Sequence, residues 1–261
     1  RAVIDVFRGV YRQHDVGVAR HGFGTRSGVK KLLRALKVQV NGSVCTRADT
    51  AVDPEKDSVS VEGQKIKLKT HIYLMINKPR GTLCSSRDGA YRSVFSLLPK
   101  ELNRRFLGGE LHIAGRLDAD TEGLVFCTTD GDVTHRIISP KRRIPKTYFV
   151  LLRDCPADRE DYVRSFERGI DVPPEGSEPA FRAQSARLVW LGEKDASCTL
   201  TIFEGKYHQV KRMFAALGNK VVFLKRLSTS SLQFDPALEA GCWRELTEEE
   251  RNTLFKELGK A

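Results

Sequence analysis

The sequence predicts an α+β fold built on a mainly antiparallel mixed sheet, preceded by a small basic module. Three observations carry this. A short amphipathic helical pattern near the N-terminus is followed by tight hairpin signals. From residue 71 onward, seven short apolar runs have the character of strands. Helical patterns interrupt those runs at three places.

In chain order, RSGVKKLLRALK (26–37) reads as a helix, because Val29, Leu32, Leu33 and Leu36 fall at i, i+3, i+4 and i+7. Arg26, Lys30, Arg34 and Lys37 recur along another face, which makes that face cationic. Asn41-Gly42, set between valines, signals a tight hairpin, and Glu62-Gly63 in SVSVEGQKI signals a second. The strand-like runs that follow are YLMIN, LHIA, LVFCT, TYFVLL, ARLVWL, SCTLTIF and VVFL. Helices are expected near 158–168, 206–217 and 247–258, the last opened by a capping box of Thr247 and Glu250.

Composition narrows the functional classes. The 261 residues are 40% hydrophobic, enough for a substantial core, and no apolar run approaches the ~20 residues of a membrane span. The first residues lack the apolar centre of a secretory signal, so the expected location is cytoplasmic, without membrane attachment. Cys45, Cys84, Cys127, Cys155, Cys198 and Cys242 are scattered with no C-x-x-C, which suits reduced thiols and not a structural zinc site. The net charge of +11 divides unevenly: +7 over residues 1–70, +5 over 71–150 and −1 over 151–261. Positive charge concentrated in this way points to a polyanion, and nucleic acid is the first candidate.

The most chemically suggestive stretch is LHIAGRLDADTEGLVFCT (111–128), a polar loop between two apolar runs. Asp118, Asp120 and Glu122 precede Gly123, but a calcium loop would need Glu at position 129, where Thr stands. The carboxylates could serve a magnesium-dependent nuclease, or could merely cap backbone amides in a polar turn. A second basic segment, SPKRRIPK (139–146), holds four cations in eight residues, and Lys141, Arg142 and Arg143 are candidates for backbone contact with a nucleic acid. His112 and His135 show no metal-ligand spacing and are read as structural; no metal is expected.

Two resemblances sharpen these readings. GFGTRSGVKKLL followed by VQVNG resembles the alpha-L RNA-binding module, covering about residues 22–68, while residues 1–20 depart from that family's usual opening helix. GRLDADTEGL (115–124) resembles the signature of the RsuA-type ribosomal RNA pseudouridine synthases. LMINKPRG (74–81), KTYFV (146–150) and EGKYHQVKRMFAALG (204–218) match that family's other motifs in order. The resemblance implies an RNA-binding module over residues 1–68 and a synthase catalytic domain over 69–261. One departure is LKRLSTSSL (224–232), where relatives usually carry Gly near Thr229-Ser230.

What the resemblance implies is an isomerase that converts a specific uridine of ribosomal RNA to pseudouridine without a cofactor. Neither G-x-G-x-x-G nor a P-loop occurs. Asp118 becomes the essential carboxylate, attacking sugar or base or deprotonating the sugar. Lys211 becomes its cationic partner, with Arg212 the near alternative, and Tyr148 the platform for an extruded uracil. Arg116 would fill the gap left by the flipped nucleotide, and His208 would lie on the RNA side of the 206–217 helix. The form Lys206-Tyr207-His208-Gln209 looks most like the small-subunit enzymes. The expected partner is ribosomal RNA or a subunit-assembly intermediate, handled by a monomer. A non-catalytic RNA-binding or ribosome-assembly protein is the alternative, and a metal-dependent nuclease a more distant one.

Overall fold

The computed structural model describes residues 26–53, 56–66, 71–99, 102, 110–192 and 195–260. The departure noted over residues 1–20, the side chain of Arg26 and residues 67–70 lie outside them. The chain divides into two compact units, residues 1–72 with 100–111 and residues 73–99 with 112–261.

In the first unit, helix α1 (Arg26–Arg34) precedes strands β1 (Val38–Val40), β2 (Ser43–Val44), β3 (Val59–Val61) and β4 (Gln64–Ile66) in the order β2-β1-β3-β4. Both expected hairpins form. Asn41 and Gly42 take φ of 52° and 81°, and Glu62 and Gly63 take 51° and 79°, the paired left-handed conformations that match strand twist. Leu33, Val38, Cys45, Val52, Val59 and Val61 make the core.

The helix stops sooner than its apolar spacing predicts. Leu36 turns left-handed at φ 56°, and the amide of Lys37 reaches back to the Leu32 carbonyl at 3.1 Å, a Schellman closure. Leu36 is therefore 59% exposed and leaves the stripe. Lys37 leaves the cationic helical face and pairs with Glu62 at 2.6 Å, while Lys30 and Arg34 stay exposed. The burial of Val38 draws the chain away from the helix and overrides the local periodicity.

The second unit contains, in order, β5 (Tyr73–Lys78), β6 (Thr82–Leu83), β7 (Arg92–Ser93), β8 (His112–Ile113), β9 (Glu122–Thr128), α2 (Gly131–Ile138), β10 (Lys146–Leu152) and α3 (Arg159–Arg168). It continues with β11 (Asp171–Val172), β12 (Phe181–Arg182), β13 (Arg187–Trp190), β14 (Ser197–Ile202), α4 (Gln209–Ala216), β15 (Val221–Thr229), β16 (Leu232–Gln233), β17 (Trp243–Glu245) and α5 (Glu248–Leu258). The main sheet runs β13-β14-β10-β15-β9-β5-β17, and only β15 with β9 is parallel, so the expected mainly antiparallel mixed sheet is present.

Helix α2 has no counterpart in the sequence reading. Its eight residues include Val133, Thr134, Ile137 and Ile138, which favour strands locally. It forms because Asp130 caps it by accepting from the Val133 amide, and because Val133 and Ile137 pack with Met75, Phe126, Leu254 and Leu258. The capping box of α5 is present in full: Thr247 and Glu250 bond reciprocally, and Gly259 closes the far end. At the 224–232 departure, Ser230 takes φ 54° in the β15–β16 turn, a left-handed position where glycine would be unstrained. Among the described residues no helix is long and apolar enough to cross a membrane.

Candidate active site

A cleft of about 1280 Å³ opens in the second unit, and the loop from Gly115 to Thr121 forms one wall. This loop joins β8 to β9 and is held from behind by two buried cations. Lys78, at the end of β5, is fully buried; its ammonium donates to the carbonyls of Thr121 (2.7 Å), Ala119 (3.2 Å) and Pro79 (3.2 Å). Burial pushes this lysine below its ordinary pKa, against the pull of Cys84, Asp120, Asp118 and Glu122. Arg226, on β15, is 1% exposed and donates to the carbonyls of Leu124 (2.7 Å), Gly115 (2.9 Å) and Arg116 (3.4 Å). A buried cation needs such saturation by oxygen, and meeting that need fixes the loop backbone. The loop's carbonyls turn inward to the two cations, and the Asp118 side chain lines the cleft.

Gly123 permits this arrangement. It sits at φ 99° where β9 meets β15, and a Cβ there would overlap the Arg226 carbonyl oxygen. The glycine therefore lets the strand carrying the loop approach the strand carrying its arginine.

The opposing charge comes from α4. His208 precedes it in a left-handed conformation (φ 48°), so the helix begins at Gln209, later than the 206–217 pattern implies. The turn before it is tied by Gln209, which accepts from the Lys206 amide at 2.9 Å and donates to Glu204 at 2.8 Å. Val210, Met213 and Phe214 are buried, and Lys211 is thereby presented to the cleft. Its Nζ lies 2.8 Å from Asp118 Oδ2 and 2.6 Å from Asp120 Oδ1. Burial lowers the Lys211 pKa, but the bonds and charges of Asp118 and Asp120 outweigh it and hold the group above its ordinary value. Burial likewise raises Asp120, but the bond to Lys211, the charge of that ammonium and a backbone hydrogen bond together bring it below its ordinary value.

Arg212 requires correction. It does not share an RNA-facing side with Lys211: it is 5% exposed and donates to the carbonyls of Pro173 (2.7 Å) and Pro179 (2.9 Å), with its guanidinium over Phe181. One residue along a helix is a rotation of about 100°, which carries the next side chain off the cleft. His208 does stay with the site. Its Nε2 is 3.8 Å from Asp118 Oδ1, its Nδ1 is 3.9 Å from Glu175 Oε2, and its ring stacks on Tyr207 at 3.8 Å.

Tyr148 lines the cleft from β10 and is 7% exposed. A β-bulge places it: Thr147 pairs with Ser228 but Tyr148 pairs with Arg226, which leaves Leu227 as the extra residue. Arg116 is exposed at the cleft wall. Lys141, Arg142 and Arg143 are exposed beyond Ser139 and Pro140 of the lining. Arg142 also donates to the Leu258 carbonyl at 2.8 Å, and Arg143 lies 5.7 Å over the Phe203 ring. His112 and His135 are exposed and outside the cleft lining.

The sequence reading missed Lys78 and Arg226 as parts of this site, and it weighed Asp120 only as a carboxylate of the nuclease alternative or a turn cap, not as a second partner of Lys211. Lys78 and Arg226 each carried a partial signal, a cation within a strand that opens on an apolar run. The position between Asp118 and Asp120, where a carboxylate-bound divalent ion would sit, is taken by the Lys211 ammonium.

The model of the RNA pseudouridylate synthase family matches residues 72–216, and the S4 domain model matches residues 15–59. The chain belongs to the RNA pseudouridylate synthase family. It is 42% identical over 241 residues to an RNA pseudouridine synthase of Bacillus subtilis (strain 168), covering 91% of this chain and 95% of that one. It is 41% identical over 233 residues to the ribosomal small subunit pseudouridine synthase A of Haemophilus influenzae, covering 89% and 94%. A crystal structure of a pseudouridylate synthase shares its fold with a TM-score of 0.62 at 39% identity, covering 88% of this chain and 94% of that one. The synthase is thus an RNA-modifying isomerase with an N-terminal S4 domain, and the family match spans both Asp118 and Lys211 and the buried Lys78, while Arg226 lies beyond it.

Proposed function

We propose that this synthase converts a uridine of small-subunit ribosomal RNA to pseudouridine, with Asp118 as the catalytic carboxylate. The observation that carries the proposal is the Asp118–Lys211 pair at 2.8 Å in a cleft that Tyr148 also lines. Lys211 holds Oδ2 and leaves Oδ1 on the side of His208, so one carboxylate oxygen is anchored and the other is available to the substrate. The target uridine is extruded and stacks on Tyr148, and Arg116 enters the vacated space. The small-subunit assignment draws on relatives named as ribosomal small subunit synthases at 40–41% identity.

The enzyme acts as a monomer in the cytoplasm, on ribosomal RNA or an assembling subunit. The exposed Lys30 and Arg34 of the S4 domain and the basic segment Lys141–Arg143 hold the RNA backbone. The isomerisation is redox-neutral and draws on no cofactor.

The test uses Asp118→Asn on a small-subunit rRNA transcript in EDTA, with pseudouridine read by mass spectrometry. The variant is expected to bind RNA and form no pseudouridine, while the unaltered enzyme remains active without metal. Undiminished product from the variant would sink the mechanism. Mapping both rRNAs from cells lacking the protein tests the target, and loss confined to the large subunit would refute the small-subunit assignment.

A further inference from the structure

Lys146 is a cation of the cleft to which the reading above gives no task. It opens β10 two residues before Tyr148, on the same face of the strand, and both side chains line the cleft. Among the described residues its Nζ makes one hydrogen bond, to the Ile144 carbonyl at 3.0 Å, and pairs with no carboxylate. An ammonium carries three donors, so two remain for a ligand.

The position of that nitrogen says which ligand. Its bond to Ile144 draws it back along the chain from the position of Tyr148, and Ser139 and Pro140 line the same cleft. Beyond those residues stand the exposed Lys141, Arg142 and Arg143. Lys146 is thus the half-buried cation of this basic segment that lines the cleft, while the other three stand exposed outside the lining. Across the sheet Lys146 pairs with Thr229 on β15 and the apolar Ile202 on β14, Tyr148 follows it on its own face, and the charged group acting on it is Arg226 of β15, itself opposite Tyr148. Burial, and then the Arg226 charge, bring Lys146 down to about 8. A half-buried ammonium beside a second cation is poorly stabilised alone, and an anion entering the cleft would relieve it. RNA offers one kind of anion, the phosphodiester; the uracil edge is neutral.

We propose that Lys146 binds a backbone phosphate flanking the target uridine, seating the strand at the point where the nucleotide is drawn into the cleft. The assignment rests on the extrusion reading given above. Tyr148 then takes the base and Lys146, about 7 Å further along the strand, takes the adjoining phosphate.

Once the modified uridine is mapped, synthetic RNAs carrying it are made with a neutral methylphosphonate in place of either flanking phosphate. The kcat/KM of the unaltered enzyme, Lys146→Met and Lys146→Arg is measured on each. Lys146→Met is expected to lose about 10- to 100-fold, chiefly in KM, with its melting temperature unchanged. One methylphosphonate RNA should cost the unaltered enzyme a similar factor, and combining the two changes should cost no more than either alone. Lys146→Arg should retain most activity. On natural RNA, KM should rise above about pH 8 for the unaltered enzyme and not for Lys146→Met, because anion binding needs the charged amine.

Full activity of Lys146→Met, tolerance of both methylphosphonates by the unaltered enzyme, or losses that multiply independently would each overturn the assignment. A 2-aminopurine placed beside the target reports extrusion separately. A normal fluorescence rise together with independent losses would remove the phosphate contact alone. No rise with the unaltered enzyme would remove the extrusion on which the contact depends.

Discussion

Replacing Lys211 with Met removes the ammonium that joins Asp118 to Asp120 while keeping an apolar stem of similar length. Lys211 and Asp118 have side chains 23% and 28% exposed, and their contact is 2.8 Å. Asp120 is 52% exposed, so its contact adds little after solvent screening. A partly buried, charge-assisted hydrogen bond contributes about 1.5–3 kcal/mol. If that stabilisation acts on the transition state through Asp118, kcat/KM should fall by roughly 10- to 150-fold, at tenfold per ~1.4 kcal/mol. The assay is single-turnover pseudouridine formation on a small-subunit rRNA transcript, with RNA affinity measured in parallel. Affinity should change little, and Lys211→Arg should recover most of the rate. A Lys211→Met enzyme within about threefold of normal, or an equal loss in Lys211→Arg, would refute the claim that this cation positions the catalytic carboxylate.

Two further outcomes follow from neighbouring geometry. Arg212→Met should chiefly destabilise the fold, by about 1–3 kcal/mol in chemical denaturation, because the Pro173 and Pro179 carbonyls lose their buried donor. Folded Arg212→Met enzyme should keep its rate within a few-fold, in contrast to Lys211→Met. At the C-terminus, the bonds from Arg244 hold the Glu250 carboxyl below its ordinary 4.5, with burial opposing and the Thr247 amide assisting. A depressed carboxyl stabilises the fold above its unfolded-state pKa, and that contribution is lost as pH falls through the folded value. Glu250→Gln should therefore cost about 1–2 kcal/mol near pH 7 and less below pH 4. An equal cost at both pH values in urea melts would contradict this.

The sequence carried much of the design in local patterns. The hairpins at Asn41-Gly42 and Glu62-Gly63 and the capping box at Thr247 and Glu250 are settled by neighbouring residues, and all three form as expected. The runs that build β5, β9, β10, β14 and β15 were legible from their apolar, β-branched character. The acidic loop is legible as a resemblance, and in the sequence that resemblance alone relates Asp118 to Lys211, 93 positions away.

Tertiary structure decided what depends on burial and register. It shortened α1 by burying Val38, and it made a helix of GDVTHRII because Val133 and Ile137 had a core to enter. It separated Lys211 from Arg212, since a helix turns adjacent side chains to different surroundings and only the packed domain says which surface meets Asp118. It set Tyr148 opposite Arg226 through a bulge at Leu227, a register that no local pattern specifies. The buried Lys78 and Arg226 belong to the same class. Each is a strand cation in the sequence, and each becomes a support of the acidic loop only where distant carbonyls converge on it, because desolvated charge must find its oxygens somewhere in the fold.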